Sequence, residues 1–308
     1  MYWIVGILIG AAALILLASY LAFKRIFIRR KRSEEYLYNG LDGELMGINK
    51  LRRRLIEEIS EIPFEPIETV STDNKKLYGR LYRGEKDAPI SILFHGYKSM
   101  PFRDFCGVAQ TLINFGHSLI VVDQRSHGQS QGKYITFGIK ERFDVLSWCN
   151  FAIDIFGVNS KILLYGMSMG AASVIMASEL DLPKNAVGII ADSPFDSPKS
   201  IITKVLCDMN LSPSLAYPFI RLGAIVFGRF DPNSAAAKTA AQKAEIPILL
   251  LHGEEDKLVP LCMSEQILKT AKTATLVKFK DAAHCKAYLY DSEGYAACLK
   301  DFLNKTVG

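Results

Sequence analysis

The apolar N-terminal segment places the strongest constraint on how this chain folds. No charged residue occurs from Tyr2 to Phe23, a run of about 22 residues. At about 1.5 Å per residue, a helix of this length crosses the hydrocarbon core of a bilayer. A cleaved signal peptide carries basic residues before its apolar core, whereas Met1 to Val5 carries none. The sequence therefore predicts a retained transmembrane helix over residues 1–23.

The positive charge of the chain is concentrated directly after this segment. The net charge is +5, from 37 basic and 32 acidic residues. Six basic residues follow the apolar run, which leaves 31 basic against 32 acidic residues, or −1, for the rest: Lys24, Arg25, Arg29, Arg30, Lys31 and Arg32. A near-neutral body gives no reason to expect a nucleic-acid partner. By the positive-inside rule the basic cluster stays in the cytoplasm, so we expect a single-pass protein of the cell membrane with its main domain facing the cytoplasm.

Residues 24–62 are predicted to form a basic juxtamembrane and amphipathic connector. Its apolar residues recur at helical spacing, at Leu51, Leu55, Ile56 and Ile59, and are interleaved with the basic run 52–54. Two interpretations remain open. The helix either packs on the following domain, or lies on anionic lipid and reinforces the anchor.

Short β-rich runs alternate with longer helical segments from residue 63 to the end of the chain. The predicted strands are Glu65–Ser71, Leu77–Arg83, Pro89–Phe94, Leu119–Val122, Lys161–Tyr165, Val187–Ala191, Ile246–Leu251 and Thr275–Phe279. The predicted helices between and after them are Arg103–Phe115, Ile139–Phe156, Ala171–Leu180, Cys262–Ala271 and Tyr295–Asn304. Such alternation predicts an α/β domain over residues 63–308, with a mostly parallel eight-stranded sheet and ligands bound beyond the carboxyl ends of the strands.

The motif Gly166-Met167-Ser168-Met169-Gly170 stands at the end of one predicted strand and directly before a predicted helix. A nucleophilic serine needs a tight strand-to-helix turn of this kind, where the flanking glycines allow close backbone contacts. The pentapeptide alone is moderately specific, because glycines also flank serines in ordinary turns. The strand and helix around it make Ser168 the predicted nucleophile.

A serine hydroxyl becomes a good nucleophile only when an imidazole takes its proton and a carboxylate orients that imidazole. His284 follows the last predicted strand, and Asp256 follows the one before it. We therefore predict Ser168, Asp256 and His284 as a catalytic triad. Asp192, after the Val187–Ala191 strand, is the competing acid, and Asp256 is preferred.

The oxyanion formed in acyl transfer requires preset backbone N–H donors. The backbone N–H groups of Tyr97, after the apolar Pro89–Phe94 strand, and of Met169, beside the nucleophile, are the predicted donors. His95, His127 and His252 are interpreted as residues that shape turns.

The remaining chemistry-bearing residues predict no cofactor and no metal site. The six cysteines form no C-x-x-C pair, and no histidine cluster has zinc-ligand spacing. Their scatter fits reduced thiols in a cytosol-facing domain. Cys285, beside His284, is interpreted as a packing residue in preference to a reactive thiol.

With these motifs in place, the chain from about Pro66 to Leu303 resembles the α/β-hydrolase superfamily, whose triad has the same order Ser, Asp, His. It is most similar to a serine-aminopeptidase-like group that includes monoacylglycerol lipases, acyl-protein thioesterases and bacterial membrane-anchored hydrolases. The segment Asp123-Gln124-Arg125-Ser126-His127-Gly128-Gln129-Ser130 is similar to the D-x-R-x-H-G-x-S turn of that group. The chain departs from the group at Ala282-Ala283-His284, where glycine often precedes the histidine.

A segment over residues 196–245 is longer than the parent fold requires and is predicted to form a small cap. Its middle, residues 215–230, is strongly apolar but too short and broken to span a membrane. We expect most of these side chains to pack inward and some to line an acyl pocket or face the bilayer. The predicted anchor, the triad and the resemblance together predict a membrane-anchored serine hydrolase of a carboxylic ester or thioester, with a small-molecule or lipid-like acyl substrate. A serine peptidase of the same fold and a non-catalytic membrane-tethered binding protein are the alternatives.

Overall fold

The computed structural model describes residues 2–29, 37–38 and 46–307. Of the predicted basic cluster, Lys24, Arg25 and Arg29 lie within these ranges. Arg30, Lys31 and Arg32, together with most of the predicted connector before residue 46, lie outside the described residues.

Eight strands form one mixed sheet. They are β1 (Glu65–Val70), β2 (Lys76–Tyr82), β3 (Ile90–Phe94), β4 (Ser118–Asp123), β5 (Ile162–Met167), β6 (Ala186–Asp192), β7 (Ile248–Gly253) and β8 (Ala274–Phe279). The order across the sheet is β1-β2-β4-β3-β5-β6-β7-β8. Strand β2 pairs antiparallel with both β1 and β4, and the other pairs are parallel. The predicted α/β class with a mostly parallel eight-stranded sheet is therefore confirmed.

Helices cover both faces of this sheet. They are α1 (Tyr2–Phe27), α2 (Met46–Glu61), α3 (Pro101–Asn114), α4 (Glu141–Phe156), α5 (Met169–Ala177), α6 (Pro198–Asp208), α7 (Pro213–Gly223), α8 (Ala237–Ala241), α9 (Cys262–Thr270), α10 (Ala287–Tyr290) and α11 (Ser292–Thr306). A π-helical turn, Ala224–Gly228, continues α7. Alternate residues of the central strands belong to two separate hydrophobic cores, one on each face. Continuous burial of β3 to β5 follows from this arrangement, because each strand is covered on both sides.

Helix α1 is long and apolar enough to cross a membrane, and it is the one helix of the described residues that meets this criterion. It extends four residues beyond the predicted end at Phe23. Its first part is exposed, whereas Ser19, Phe23 and Phe27 are buried. The last turns of α1 therefore pack against the rest of the protein.

The partner of these last turns is the α7 segment. Ser19 faces Gly223, where an added Cβ atom would lie only 2.3 Å from the Ser19 carbonyl oxygen. The Tyr20 and Phe227 rings meet edge to face at 5.1 Å. Small residues at a helix crossing allow the two backbones to approach closely, and a side chain at position 223 would clash with Ser19.

Helix α2 packs on the domain through the apolar face predicted from the sequence. Leu55, Ile56 and Ile59 are buried in the core on the α3 side of the sheet. Arg52 donates a hydrogen bond to the Arg103 carbonyl oxygen at 2.7 Å. Of the two open interpretations, the structure therefore has the helix packed on the domain, with its apolar face unavailable to lipid.

Candidate active site

Ser168 lies on a sharp turn between β5 and α5. Its φ of 53° and ψ of −111° are uncommon for a residue with a side chain. The turn closes against neighbouring backbone: a Cβ atom on Gly170 would lie 1.8 Å from the Phe94 carbonyl oxygen, and one on Gly166 would lie 2.3 Å from the Ala171 nitrogen. Glycine is therefore required at both flanking positions, and the turn holds the serine beyond the strand end.

The structure brings the three predicted triad residues together from separate loops. His284, in the loop after β8, places its Nε2 atom 2.9 Å from Ser168 Oγ. The other ring nitrogen, Nδ1, lies 2.6 Å from Oδ2 of Asp256, in the loop after β7. Both distances are those of hydrogen bonds, and they connect residues 116 and 28 positions apart in the chain. This arrangement allows His284 to accept the serine proton while Asp256 orients the ring.

Asp256 is held as a carboxylate by its surroundings. Burial alone would raise its pKa, but hydrogen bonds from His252 and His284 outweigh burial and lower the pKa below its usual range. The backbone N–H groups of Leu258 and Val259 also donate to Asp256 Oδ1, at 3.1 and 2.8 Å. Asp256 therefore remains charged at neutral pH and able to stabilise a protonated His284.

His252 is a positioning residue that was interpreted from the sequence only as a turn former. It is fully buried, and its Nδ1 atom lies 2.7 Å from Ser264 Oγ. Its Nε2 atom lies 2.8 Å from the Val259 carbonyl oxygen and 3.3 Å from Asp256 Oδ2. This ring ties the acid loop to α9. Its position four residues before Asp256 was the available indication in the sequence.

Asp192, the competing acid, has other partners. Its Oδ2 atom accepts a hydrogen bond from Tyr295 at 2.7 Å, and its Oδ1 atom accepts one from Ser193 at 2.9 Å. Burial raises the pKa of Asp192 despite these hydrogen bonds. Its backbone carbonyl accepts the Ser168 N–H at 2.8 Å. Asp192 therefore supports the turn that carries Ser168, and the hydrogen bond to His284 comes from Asp256.

Both residues predicted to supply oxyanion donors border the nucleophile. Met169 follows Ser168 and begins α5, and Tyr97 lines the same cavity as Ser168. The β3 end comes close to the serine, since a Cβ atom on Gly96 would lie 3.4 Å from Ser168 Cβ. The loop is fixed by Asp104, which accepts the Gly96 N–H at 2.7 Å.

His95 and His127 hold the same loop by hydrogen bonds to backbone groups. His127 Nε2 accepts the Lys98 N–H at 3.0 Å, and His95 Nε2 accepts the Gln124 N–H at 3.2 Å. Burial is the main cause that lowers the pKa of both imidazoles, so they are neutral and can accept these bonds. These contacts agree with the interpretation of His95 and His127 as residues that shape turns.

Cys285 lies beside the triad, with Sγ 3.6 Å from His284 Nε2, and burial raises the pKa of its thiol.

A cavity of about 730 Å³ opens at Ser168. Apart from Ser168, Arg25 and Lys98, the described residues around it are apolar or aromatic. The cap contributes Ile201, Ile202, Val205, Leu206, Met209, Leu211, Ala216, Phe219 and Ile220. A site of this size, apolar with a few polar groups, is typical of small-molecule binding.

One wall of this cavity was not predicted from the sequence. It is formed by the last turns of the membrane-length helix: Ala18, Ala22, Arg25 and Ile26. The two alanines lie four residues apart on one helix face, among larger apolar residues. That spacing of small residues was the only indication in the sequence that this face meets another part of the protein.

The chain was compared with known protein families, relatives and solved structures. No protein-family model matches the chain. An esterase structure from Pyrococcus furiosus superposes with a TM-score of 0.64 at 24% identity, covering 82% of this chain and 94% of that one. The uncharacterized protein YqkD of Bacillus subtilis is 21% identical over 305 residues, 96% of this chain and 95% of the relative. An uncharacterized membrane protein of Saccharomyces cerevisiae is 23% identical over 252 residues, 79% of this chain and 80% of the relative.

The sheet order, the strand-to-helix turn at Ser168 and this likeness define the class. The chain has the α/β-hydrolase fold, as its motifs predicted. At sequence identities of 21–24%, the similarity to these proteins supports the fold and not a particular activity. The closer resemblance to the serine-aminopeptidase-like group stays a prediction.

Proposed function

We propose that the protein is a serine hydrolase that cleaves a carboxylic ester or thioester through an acyl-Ser168 intermediate. The observation that carries the proposal is the continuous hydrogen-bonded chain from Ser168 Oγ through both nitrogens of His284 to Asp256. The solved structure from Pyrococcus furiosus with the same fold is described as an esterase, which supports this class of reaction.

The geometry supports the following steps. His284 Nε2 accepts the Ser168 proton as Oγ bonds to the substrate carbonyl carbon, and the backbone N–H groups of Tyr97 and Met169 stabilise the resulting oxyanion. As the intermediate collapses, the bond to the leaving group breaks and His284 returns the proton to it. Water then attacks the acyl-enzyme by the same route, with His284 as base, and releases the carboxylic acid. Asp256 stays ionised throughout and stabilises the imidazolium.

The lining of the cavity favours an acyl chain over a peptide. A peptidase acting at a free N-terminus needs acidic groups to hold the substrate amine, whereas the charged side chains among the described lining residues are Arg25 and Lys98. The apolar remainder of the wall suits a hydrocarbon chain. Hydrolysis of esters is therefore proposed in preference to amides.

A panel of p-nitrophenyl esters of increasing chain length, run beside amino-acid p-nitroanilides, tests this function. We expect the full chain in detergent to react with a fluorophosphonate probe and to prefer medium-chain esters to acetate. Each buried methylene contributes about 0.8 kcal/mol, roughly a fourfold gain in kcat/KM, until the cavity is filled. Faster cleavage of the anilides would indicate the peptidase. A protein that neither reacts with the probe nor turns over any substrate would indicate a binding protein.

We also propose that α1 anchors the protein in the cell membrane with the catalytic domain on the cytoplasmic side. Helix α1 is long and apolar enough to span a bilayer, and Lys24 and Arg25 stand in its last turn. A relative from Saccharomyces cerevisiae is described as a membrane protein, which supports the anchor. The proposed orientation follows from the basic residues that come directly after the apolar run.

Protease protection of a C-terminal tag tests this orientation. With a tag after Gly308, we expect intact cells or protoplasts to protect the tag and detergent lysis to expose it. A tag engineered before Tyr2 is the matched control and should be digested in intact cells. Digestion of the C-terminal tag from outside, or a mature chain cleaved near Ser19, would contradict the orientation.

A further inference from the structure

The last turns of α1 are part of the wall beside Ser168, although the helix has the length and composition of a membrane anchor. Ala18, Ala22 and Ile26 recur at intervals of four residues and face the cavity that contains Ser168. The same face therefore continues from the membrane-length segment to the candidate nucleophile.

Hydrogen bonds fix this wall to the loop that carries a proposed oxyanion donor. The Tyr97 hydroxyl donates to the Ile26 carbonyl oxygen at 2.6 Å, and Lys98 Nζ donates to the Arg25 carbonyl oxygen at 3.2 Å. At the last residue of α1, the Ile135 N–H donates to the Phe27 carbonyl oxygen at 2.8 Å. The end of α1 is thus held in register with the site.

The length of α1 locates the membrane boundary at the same place. A hydrocarbon core of about 30 Å takes about 20 helical residues, so a span that begins at Tyr2 ends near Leu21. Leu21 lies between Ala18 and Ile26, the first and last residues of α1 that line the cavity. With α1 spanning the bilayer as proposed, the cavity would lie at the depth where the bilayer meets water.

The side chains around this region are apolar and exposed. Phe219 and Leu258 line the cavity and are 36% and 48% exposed. Leu215, on α7 beside α1, is 72% exposed, and Ile225 and Val226 of the π-helical turn are 43% and 46% exposed. Exposed apolar groups continuous with a membrane-length helix are suited to contact with lipid chains.

We propose that the end of α1 is part of the acyl-binding site and that the cavity takes the acyl chain of a membrane-resident lipid ester directly from the leaflet. The chain lies against Ala18, Ala22 and Ile26, with the ester carbonyl at Ser168. This inference rests on the proposed ester hydrolysis. It assigns the anchor helix a role in substrate binding in addition to attachment.

Enlarging a small residue of this wall tests the binding site. In the full chain in detergent, Ala22→Phe is expected to lower the ratio of kcat/KM for p-nitrophenyl octanoate to that for acetate by about tenfold or more, because the added ring fills space needed by the longer chain. Ala12→Phe, on the exposed part of α1 and outside the cavity, is the matched control and should leave the ratio unchanged. Both kcat/KM values are measured on the same preparation of each variant. A smaller fraction of folded protein therefore lowers both values equally and leaves their ratio unchanged.

A second experiment distinguishes entry from the leaflet from entry through water. The full chain is reconstituted in phosphatidylcholine vesicles, and p-nitrophenyl palmitate is carried either in the same vesicles or in separate ones. Entry from the leaflet predicts hydrolysis at least about tenfold faster in the same vesicles, because a long chain leaves a bilayer slowly. Equal rates would overturn leaflet entry, and an unchanged ratio in active Ala22→Phe would overturn the binding wall. Absence of ester hydrolysis in the unmodified chain would instead contradict the proposed function itself.

Discussion

Replacing Ser168 by alanine is expected to abolish both fluorophosphonate labelling and turnover, because the Ser168 hydroxyl is the group proposed to form the acyl intermediate. His284→Ala and Asp256→Asn should lower kcat by about 10⁴-fold or more, since the three residues act as one unit and their effects are not additive. Asp256→Asn removes the negative charge of the carboxylate whose Oδ2 atom lies 2.6 Å from His284 Nδ1. Probe labelling, ester hydrolysis and thermal unfolding of each variant measure the effects on chemistry and on folding separately.

Asp192→Asn and Cys285→Ala are the matched controls for this prediction. Asp192 contacts Tyr295 and Ser193, so its replacement should change stability more than kcat. The Cys285 thiol lies 3.6 Å from His284 Nε2 but its pKa is raised by burial, so its loss should leave labelling intact. A larger loss of kcat in Asp192→Asn than in Asp256→Asn would show that the acid was assigned to the wrong residue. Persistent labelling of Ser168→Ala would transfer the nucleophile role to another group.

The sheet and the meeting of three distant residues could be predicted from the sequence because both depend on local pattern. Each central strand is a short apolar run, and parallel strands bring the loops at their carboxyl ends to one edge. Ser168 follows β5 directly, and Asp256 and His284 lie in the loops after β7 and β8. Their proximity is therefore a consequence of strand order, and it needs no knowledge of side-chain packing.

The role of α1 could not be predicted in the same way, because it depends on packing between elements far apart in the chain. The uncharged run explains a membrane-length helix but does not distinguish Phe23, which is buried, from Tyr2 and Trp3, which are exposed. The contact with Gly223 joins residues about 200 positions apart. Similarly, the contact between His252 and Asp256 depends on how the loop after β7 turns back.

For the apolar middle of the cap, residues 215–230, the sequence likewise does not show which side chains are buried. An inward orientation was expected for most of these side chains. Tyr217, Ile220 and Phe230 are buried, whereas Leu215 and Val226 are exposed. Composition alone gives the apolar character of the segment, but its division between a core face and an exposed face depends on how α7 crosses α1.

Deleting α1 is expected to destabilise the catalytic domain as well as release it from the membrane. Phe23 and Phe27 are 1% and 0% exposed. Phe23 packs on Tyr134 at 5.0 Å, and Phe27 packs edge to face on Phe137 and Phe230 at 5.8 and 5.2 Å. Loss of a buried phenylalanine costs about 3–5 kcal/mol, so removal of two costs about 6–10 kcal/mol. That is comparable with the whole stability of a typical domain, about 5–15 kcal/mol.

A fragment of residues 46–308 should therefore aggregate, or unfold at a much lower temperature than the full chain. It should also lose fluorophosphonate labelling, because the Tyr97 hydroxyl no longer has the Ile26 carbonyl oxygen as a hydrogen-bond partner. The matched control lacks only residues 2–17, which are exposed, and keeps every buried residue of α1. It should remain folded and hydrolyse short-chain esters in detergent. Light scattering, thermal unfolding and probe labelling compare the two truncated proteins with the full chain. Cooperative unfolding of fragment 46–308 at the temperature of the full chain, with labelling retained, would show that α1 is an anchor alone.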